Sequence, residues 1–175
     1  MQKAYVLLDR DGTLIEHIHH LVDQDLVRLK IGVVQGLKKL QENGFSFGII
    51  TNQSVIGRGM ASRKKIEAVN DAIVQLLTQH DIGIDFVFIC PHMPDFGCNC
   101  RKPNTELGLR AISEYHMLPS ESFMIGDQES DQIFGKRLGC KTIQVKGNAQ
   151  KSQFTDHYSE SFIDAVEWIL SKKVK

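Results

Sequence analysis

Ala4-Tyr5-Val6-Leu7-Leu8-Asp9-Arg10-Asp11-Gly12-Thr13 joins five apolar residues to two carboxylates and a glycine turn. A short run that is apolar throughout reads as a strand buried on both faces, the kind found in parallel sheets. Asp9 and Asp11 follow at its carboxyl end, where a turn lets both aim into one small volume. Such a volume suits a metal ion and a phosphate. Downstream, short apolar runs alternate with segments of helical period. Val33, Val34, Leu37 and Leu40 space a helix that Gly44 is placed to stop. Further strands are predicted over 45–50, 86–89, 123–125 and 142–145. Helices are marked by Ile66, Val69, Ile73, Leu76 and Leu77, by Leu107, Ala111, Ile112 and Tyr115, by Ile133, Phe134 and Leu138, and by Phe162, Ile163, Val166, Ile169 and Leu170. Pro103 and Asn104 signal the start of the second of these, and Gly139 the end of the third. The alternation predicts an α/β fold: a doubly wound, mostly parallel sheet joined by right-handed crossovers. At 175 residues and 42% hydrophobic, the chain is expected to form a single domain over 1–175.

In such sheets the ligand lies beyond the carboxyl ends of the strands, near the point where the winding reverses. The chemically capable residues fall at those ends. Asp9 follows the first strand, Thr51-Asn52-Gln53-Ser54 the second, Cys90-Pro91-His92 the third and Gly126-Asp127 the fourth. Asp127, Glu129 and Asp131 place three carboxylates within five residues, an arrangement that repels itself unless a cation is near. Arg101-Lys102-Pro103 supplies cations just before a helix. Neither Gly-x-Gly-x-x-Gly nor Gly-x-x-x-x-Gly-Lys-[Ser/Thr] occurs, which argues against dinucleotide and P-loop enzymes.

Lys+Arg and Asp+Glu both number 21, so the balance of charge disfavours a nucleic-acid or anionic-membrane surface. A small ligand is the better expectation. No apolar stretch approaches the ~20 residues of a membrane span, and the amino terminus meets charge too early for a secretory segment. The expected compartment is the cytoplasm, and the expected state a monomer.

Cys90-x-His92-x₅-Cys98-x-Cys100 is a second strong pattern. Three thiols and an imidazole in one loop satisfy a tetrahedral Cys₃His zinc site over 90–100, closed and therefore structural. Disulfides are the alternative, disfavoured in a reducing compartment. Cys140 has no companion and is expected to be a buried core thiol.

Taken in order, Asp9/Asp11, Thr51, Lys102 and Asp127/Asp131 resemble the four motifs of the haloacid dehalogenase (HAD) superfamily over nearly the whole chain. The resemblance implies a Rossmann-like core and an aspartyl-phosphate mechanism. Asp9 is then the nucleophile and Asp11 the general acid/base, while Thr51 and Lys102 neutralise phosphoryl oxygens. Mg²⁺ is implied at Asp9, the Asp11 carbonyl and Asp127, with Asp131 a further candidate ligand. The spacing from Asp11 to the first helix is too short for an inserted cap domain. A zinc loop running into Arg101-Lys102-Pro103 is similar to the histidinol-phosphatase-related branch, whose substrates are small phosphorylated metabolites. Thr51-Asn52-Gln53-Ser54-Val55-Ile56-Gly57-Arg58-Gly59 is close to the segment typical of heptose bisphosphatases, which puts heptose 1,7-bisphosphate first and histidinol phosphate second. Asn52, Gln53, Ser54, Arg58, Arg101, His17 and His20 are the candidate substrate contacts. Two other classes remain as alternatives, a polynucleotide 3′-phosphatase and a non-catalytic phosphoacceptor. Net zero charge disfavours the first, and the second carboxylate, Asp11, disfavours the second.

Overall fold

Leu8 hands the chain to Asp9 at the centre of a six-stranded sheet. In this computed structural model, which describes residues 2–172, the strands are β1 (Tyr5–Leu8), β2 (Ser46–Asn52), β3 (Phe86–Cys90), β4 (Phe123–Gly126), β5 (Lys141–Val145) and β6 (His157–Ser159). All pair in parallel, in the order β3-β2-β1-β4-β5-β6. The winding runs from β1 outward to β3, then reverses to the far side of β1. The helices are α1 (Val33–Glu42), α2 (Ser54–Gly57), α3 (Arg63–Thr78), α4 (Glu106–Tyr115), α5 (Glu129–Leu138) and α6 (Phe162–Lys172).

The alternation of β1 side chains explains the two layers. Val6 and Leu8 pack into one core with Leu37 and Leu40 of α1, Val69 and Ile73 of α3, and Val166 and Ile169 of α6. Tyr5 and Leu7 face the other core, with Leu107 and Ala111 of α4 and Phe134 and Leu138 of α5. Each of these β1 residues is at most 1% exposed, as a strand covered on both faces requires. Residues 12–32 carry a short 3₁₀ turn, Gln24–Leu26, and an isolated antiparallel bridge between Ile15 and Leu29 before α1, so no cap domain is inserted there.

Three elements depart from the sequence reading. The sheet has a sixth strand, β6, whose residues His157-Tyr158-Ser159 have no apolar run to announce them. Its pairing with Ile143–Val145 holds it, helped by Asp156, whose carboxylate accepts from the Thr142 amide at 2.8 Å. The four-residue α2 is too short to show a period. Finally, α4 begins at Glu106 rather than at Pro103 or Asn104: the Asn104 backbone N–H closes a turn on the Arg101 carbonyl at 2.7 Å, and its side-chain Nδ2 donates to the Cys98 carbonyl at 2.8 Å and pins the preceding loop.

Candidate active site and metal cage

β1 and β4 are neighbours, so Asp9 and Asp127 leave the sheet side by side at the reversal of the winding. The Asp9 amide donates to the Ile125 carbonyl at 2.9 Å, which extends the pairing one residue past β1. Gly12 turns the chain with φ of +81°, and a Cβ there would lie 2.6 Å from Asp127 Oδ2. Glycine is therefore needed both for the turn and for the close approach of Asp127 to it.

Lys102 is 3% exposed and spends its three ammonium hydrogens inside this site. Nζ contacts Asp9 Oδ1 at 2.7 Å, Asp131 Oδ1 at 2.7 Å and the Ile50 carbonyl at 2.6 Å. Asn52 fixes the backbone that delivers it: its amide donates to the Lys102 carbonyl and its oxygen accepts from the Lys102 N–H, both at 3.1 Å. Asp131 also accepts from the Gln128 N–H at 3.1 Å, within a capping box that starts α5. Gly126 is packed so tightly against it that an added Cβ would sit 2.2 Å from Asp131 Oδ2. Gly126→Ala must push Asp131 off Lys102. The expected cost is about 1–3 kcal/mol of stability together with reduced turnover, read by thermal unfolding and phosphate release.

Asp9, Asp127 and Asp131 are all buried, with carboxylate oxygens within 4.8 Å of one another. One ammonium faces three acids, and the imbalance shows in their proton affinities. Burial pushes Asp9 up to about 7 despite the opposing pull of Lys102. It raises Asp127 as well, helped by the Asp9 charge, and raises Asp131 against Lys102. For Lys102, burial alone would lower the ammonium, but Asp131 and Asp9 outweigh it and hold it above its ordinary value. Asp127 Oδ1 is buried without a hydrogen-bond partner among the described residues, a costly state that a bound cation would relieve. An all-oxygen set with surplus negative charge fits a hard divalent ion.

A cavity of about 360 Å³ opens over these groups, and its lining includes Asp9, Asp11, His17, Thr51, Asn52, Arg101, Lys102, Asp127 and Asp131. Arg101 Nη1 also donates to the His92 carbonyl at 3.2 Å. Gln53 sits behind the cavity, where its Nε2 donates to Asp11 Oδ2 and to Thr51 Oγ1, both at 2.8 Å. Ser54 lies in α2, Arg58 is exposed just beyond it, and the His20 ring meets that of His19 with centroids 3.7 Å apart and planes tilted by 31°; none of these three lines the cavity. Sequence reasoning missed Arg10, which is 1% exposed. Its Nε and Nη2 donate to Asp11 Oδ2 and Oδ1 at 2.9 and 3.0 Å, and its Nη1 to Asn70 Oδ1 of α3 at 3.0 Å.

The second cluster lies at the end of β3. Cys90 Sγ is 3.7 Å from Cys98 Sγ, 3.7 Å from His92 Nδ1 and 3.3 Å from Cys100 Sγ, and His92 Nδ1 is 3.2 Å from Cys100 Sγ. Ligands about 2.3 Å from a tetrahedral metal stand roughly 3.8 Å apart. No disulfide forms among these cysteines. Burial, with the Cys98 sulfur adding to it, pushes the Cys90 and Cys100 thiols up, a penalty that a cation would reverse. His92 is held flat against Phe96, ring centroids 4.4 Å apart. Cys140 is buried apart from this loop, 4% exposed.

Residues 99–165 match the HAD-hydrolase-like family. Over 97% of this chain, and all of the relative, the sequence is 34% identical to the D-glycero-beta-D-manno-heptose-1,7-bisphosphate 7-phosphatase of Haemophilus ducreyi. The chain belongs to the HAD phosphatases. It is also 34% identical to the histidine biosynthesis bifunctional protein HisB of Legionella pneumophila over 82% of its length, although it spans only 41% of that protein. Among solved structures, the D,D-heptose 1,7-bisphosphate phosphatase of B. bronchiseptica, complexed with magnesium and phosphate, superposes with a TM-score of 0.86. That pair shares 26% identity, covering 97% of this chain and 99% of the other. The HAD fold therefore carries both clusters, and the enzyme is a phosphoric monoester hydrolase.

Proposed function

We propose that this HAD phosphatase removes a primary phosphate from a small phosphorylated sugar, with D-glycero-D-manno-heptose 1,7-bisphosphate as its substrate and the 7-phosphate as the group released. The observation that carries the reading is the convergence of Asp9, Lys102 and Asp127 in one open cavity, in a chain that matches a heptose bisphosphate phosphatase from end to end. Lys102 occupies Asp9 Oδ1, which leaves the other oxygen to attack phosphorus in line. Asp11 gives its proton to the departing oxygen and then takes one from the water that cleaves the aspartyl-phosphate. Gln53 occupies an acceptor site of the Thr51 hydroxyl, so that the Thr51 hydrogen points to a phosphoryl oxygen. Asp9, Asp127 and the Asp11 carbonyl would hold Mg²⁺, which when bound neutralises charge on the transferring group. Asp131 is then the partner of Lys102 rather than a ligand.

Zinc at Cys90, His92, Cys98 and Cys100 fixes the loop that runs straight into Arg101 and Lys102. At the rim, His17 and Arg101 contact the sugar, with His20, Ser54 and Arg58 further out toward a second phosphate. The working unit is a single phosphatase domain acting as a monomer in the cytoplasm, where thiols stay reduced. Among the described residues no helix is long and apolar enough to cross a membrane.

Histidinol phosphate is the second reading, favoured by the HisB match. Phosphate release from heptose 1,7-bisphosphate, histidinol phosphate and a 3′-phosphorylated oligonucleotide, measured side by side, separates the substrates. The expected kcat/KM is highest for the heptose, by at least about tenfold. A higher value for histidinol phosphate would move the assignment to the second reading.

A further inference from the structure

A guanidinium that is 1% exposed persists only where its hydrogens are taken up. Arg10 spends one edge as a fork on both oxygens of Asp11 and its remaining nitrogen on Asn70. A single contact would let a carboxylate turn about its Cβ–Cγ bond, whereas two parallel contacts fix its plane. Gln53 Nε2 adds a third contact to Asp11, on the Oδ2 that also accepts from Arg10 Nε. Asn70 is itself 3% exposed in the apolar stripe of α3, so the anchor belongs to the core rather than to a mobile loop.

We infer that Arg10 is a positioning residue of this active site: its fork, anchored by Asn70, sets the plane in which the Asp11 carboxylate exchanges protons with the reacting oxygens. The inference rests on the phosphatase reading above, though not on which sugar is the substrate. In the first half-reaction the bond from Asp9 to phosphorus forms as the ester P–O bond breaks, and the departing oxygen takes the Asp11 proton. In the second, the water oxygen bonds to phosphorus as the Asp9–phosphorus bond breaks, and Asp11 takes the proton of the water. Proton transfer needs heavy atoms about 2.6–3.2 Å apart and aligned, so a carboxylate free to rotate loses much of its effect.

Arg10→Lys keeps the charge and removes the fork. Single-turnover phosphorylation by a primary alkyl phosphate, heptose bisphosphate or histidinol phosphate, is expected to fall about 10²-fold, the range of a lost general acid. With p-nitrophenyl phosphate, whose phenolate leaves without a proton, phosphorylation should fall by about threefold or less, and acid-quenched phosphoenzyme should accumulate because water activation is slowed. Asn70→Leu, which removes the anchor while keeping volume, should move both readouts the same way and by less. If thermal unfolding shows that Arg10→Lys does not fold, Asn70→Leu decides alone. Equal losses on the alkyl and aryl substrates, or no loss on either, would overturn the inference. A wild-type enzyme that cleaves neither substrate would instead overturn the phosphatase reading beneath it.

Discussion

Asp9→Asn will release no measurable phosphate, a loss of at least about 10⁴-fold, while the protein stays folded. The carboxamide keeps the shape of the side chain but cannot form the acyl-phosphate bond. Lys102 retains Asp131 and the Ile50 carbonyl after the change, so the cation is not orphaned. Stability follows with a sign that can be checked. Burial raises Asp9 to about 7, so the metal-free folded state binds this proton more tightly than the unfolded chain. That contribution to stability is present below the ordinary carboxylate range and is lost as pH rises toward about 7. At pH 8 the metal-free Asn variant should therefore melt no lower than the wild type. Phosphate release and thermal unfolding test both halves, and turnover near the wild-type level would reject Asp9 as the nucleophile.

The parts of this site that were legible in the sequence are those that sit at strand ends. Asp9, Thr51 and Asp127 each follow an apolar run, and a parallel sheet gathers such positions onto one rim. Lys102 was legible through its motif, but its depth was not, since an Arg-Lys pair reads as solvated surface. Arg10 was illegible for the same reason, being one charge between two acids in a turn. A signal for it did exist. Ile66, Val69, Ile73 and Leu77 trace the buried face of α3, and Asn70 falls on that face, where a polar side chain must have a partner. β6 was lost because three mixed residues carry no period, and its edge position depends on pairing with β5 rather than on its own propensity. His20, Ser54 and Arg58, candidate substrate contacts in the sequence, do not line the cavity. Their use depends on the size of the substrate, which strand ends do not encode.

With zinc proposed at Cys90, His92, Cys98 and Cys100, stripping the metal is expected to cost this enzyme both stability and turnover, through one loop. Carefully purified wild type should contain close to one zinc per chain, and Cys98→Ser should lower that content and the melting temperature together. Structural zinc contributes roughly 10–16 kcal/mol in isolated peptides. Here Cys90 is already fixed at the end of β3 and Asn104 pins the Cys98 carbonyl, so only part of that energy is at stake. A loss of about 3 kcal/mol corresponds to roughly 6–12 °C in a chain of this length. Turnover should fall by more than the unfolded fraction explains. Cys100 is followed directly by Arg101 and Lys102, and a loop without its metal delivers the ammonium less accurately to Asp9. Cys140→Ala separates metal loss from thiol loss: Cys140 lies outside the cage, so that variant should keep its zinc even where it melts lower. Wild-type protein that binds no zinc yet melts and turns over as before would show that the four donors hold the loop by packing alone.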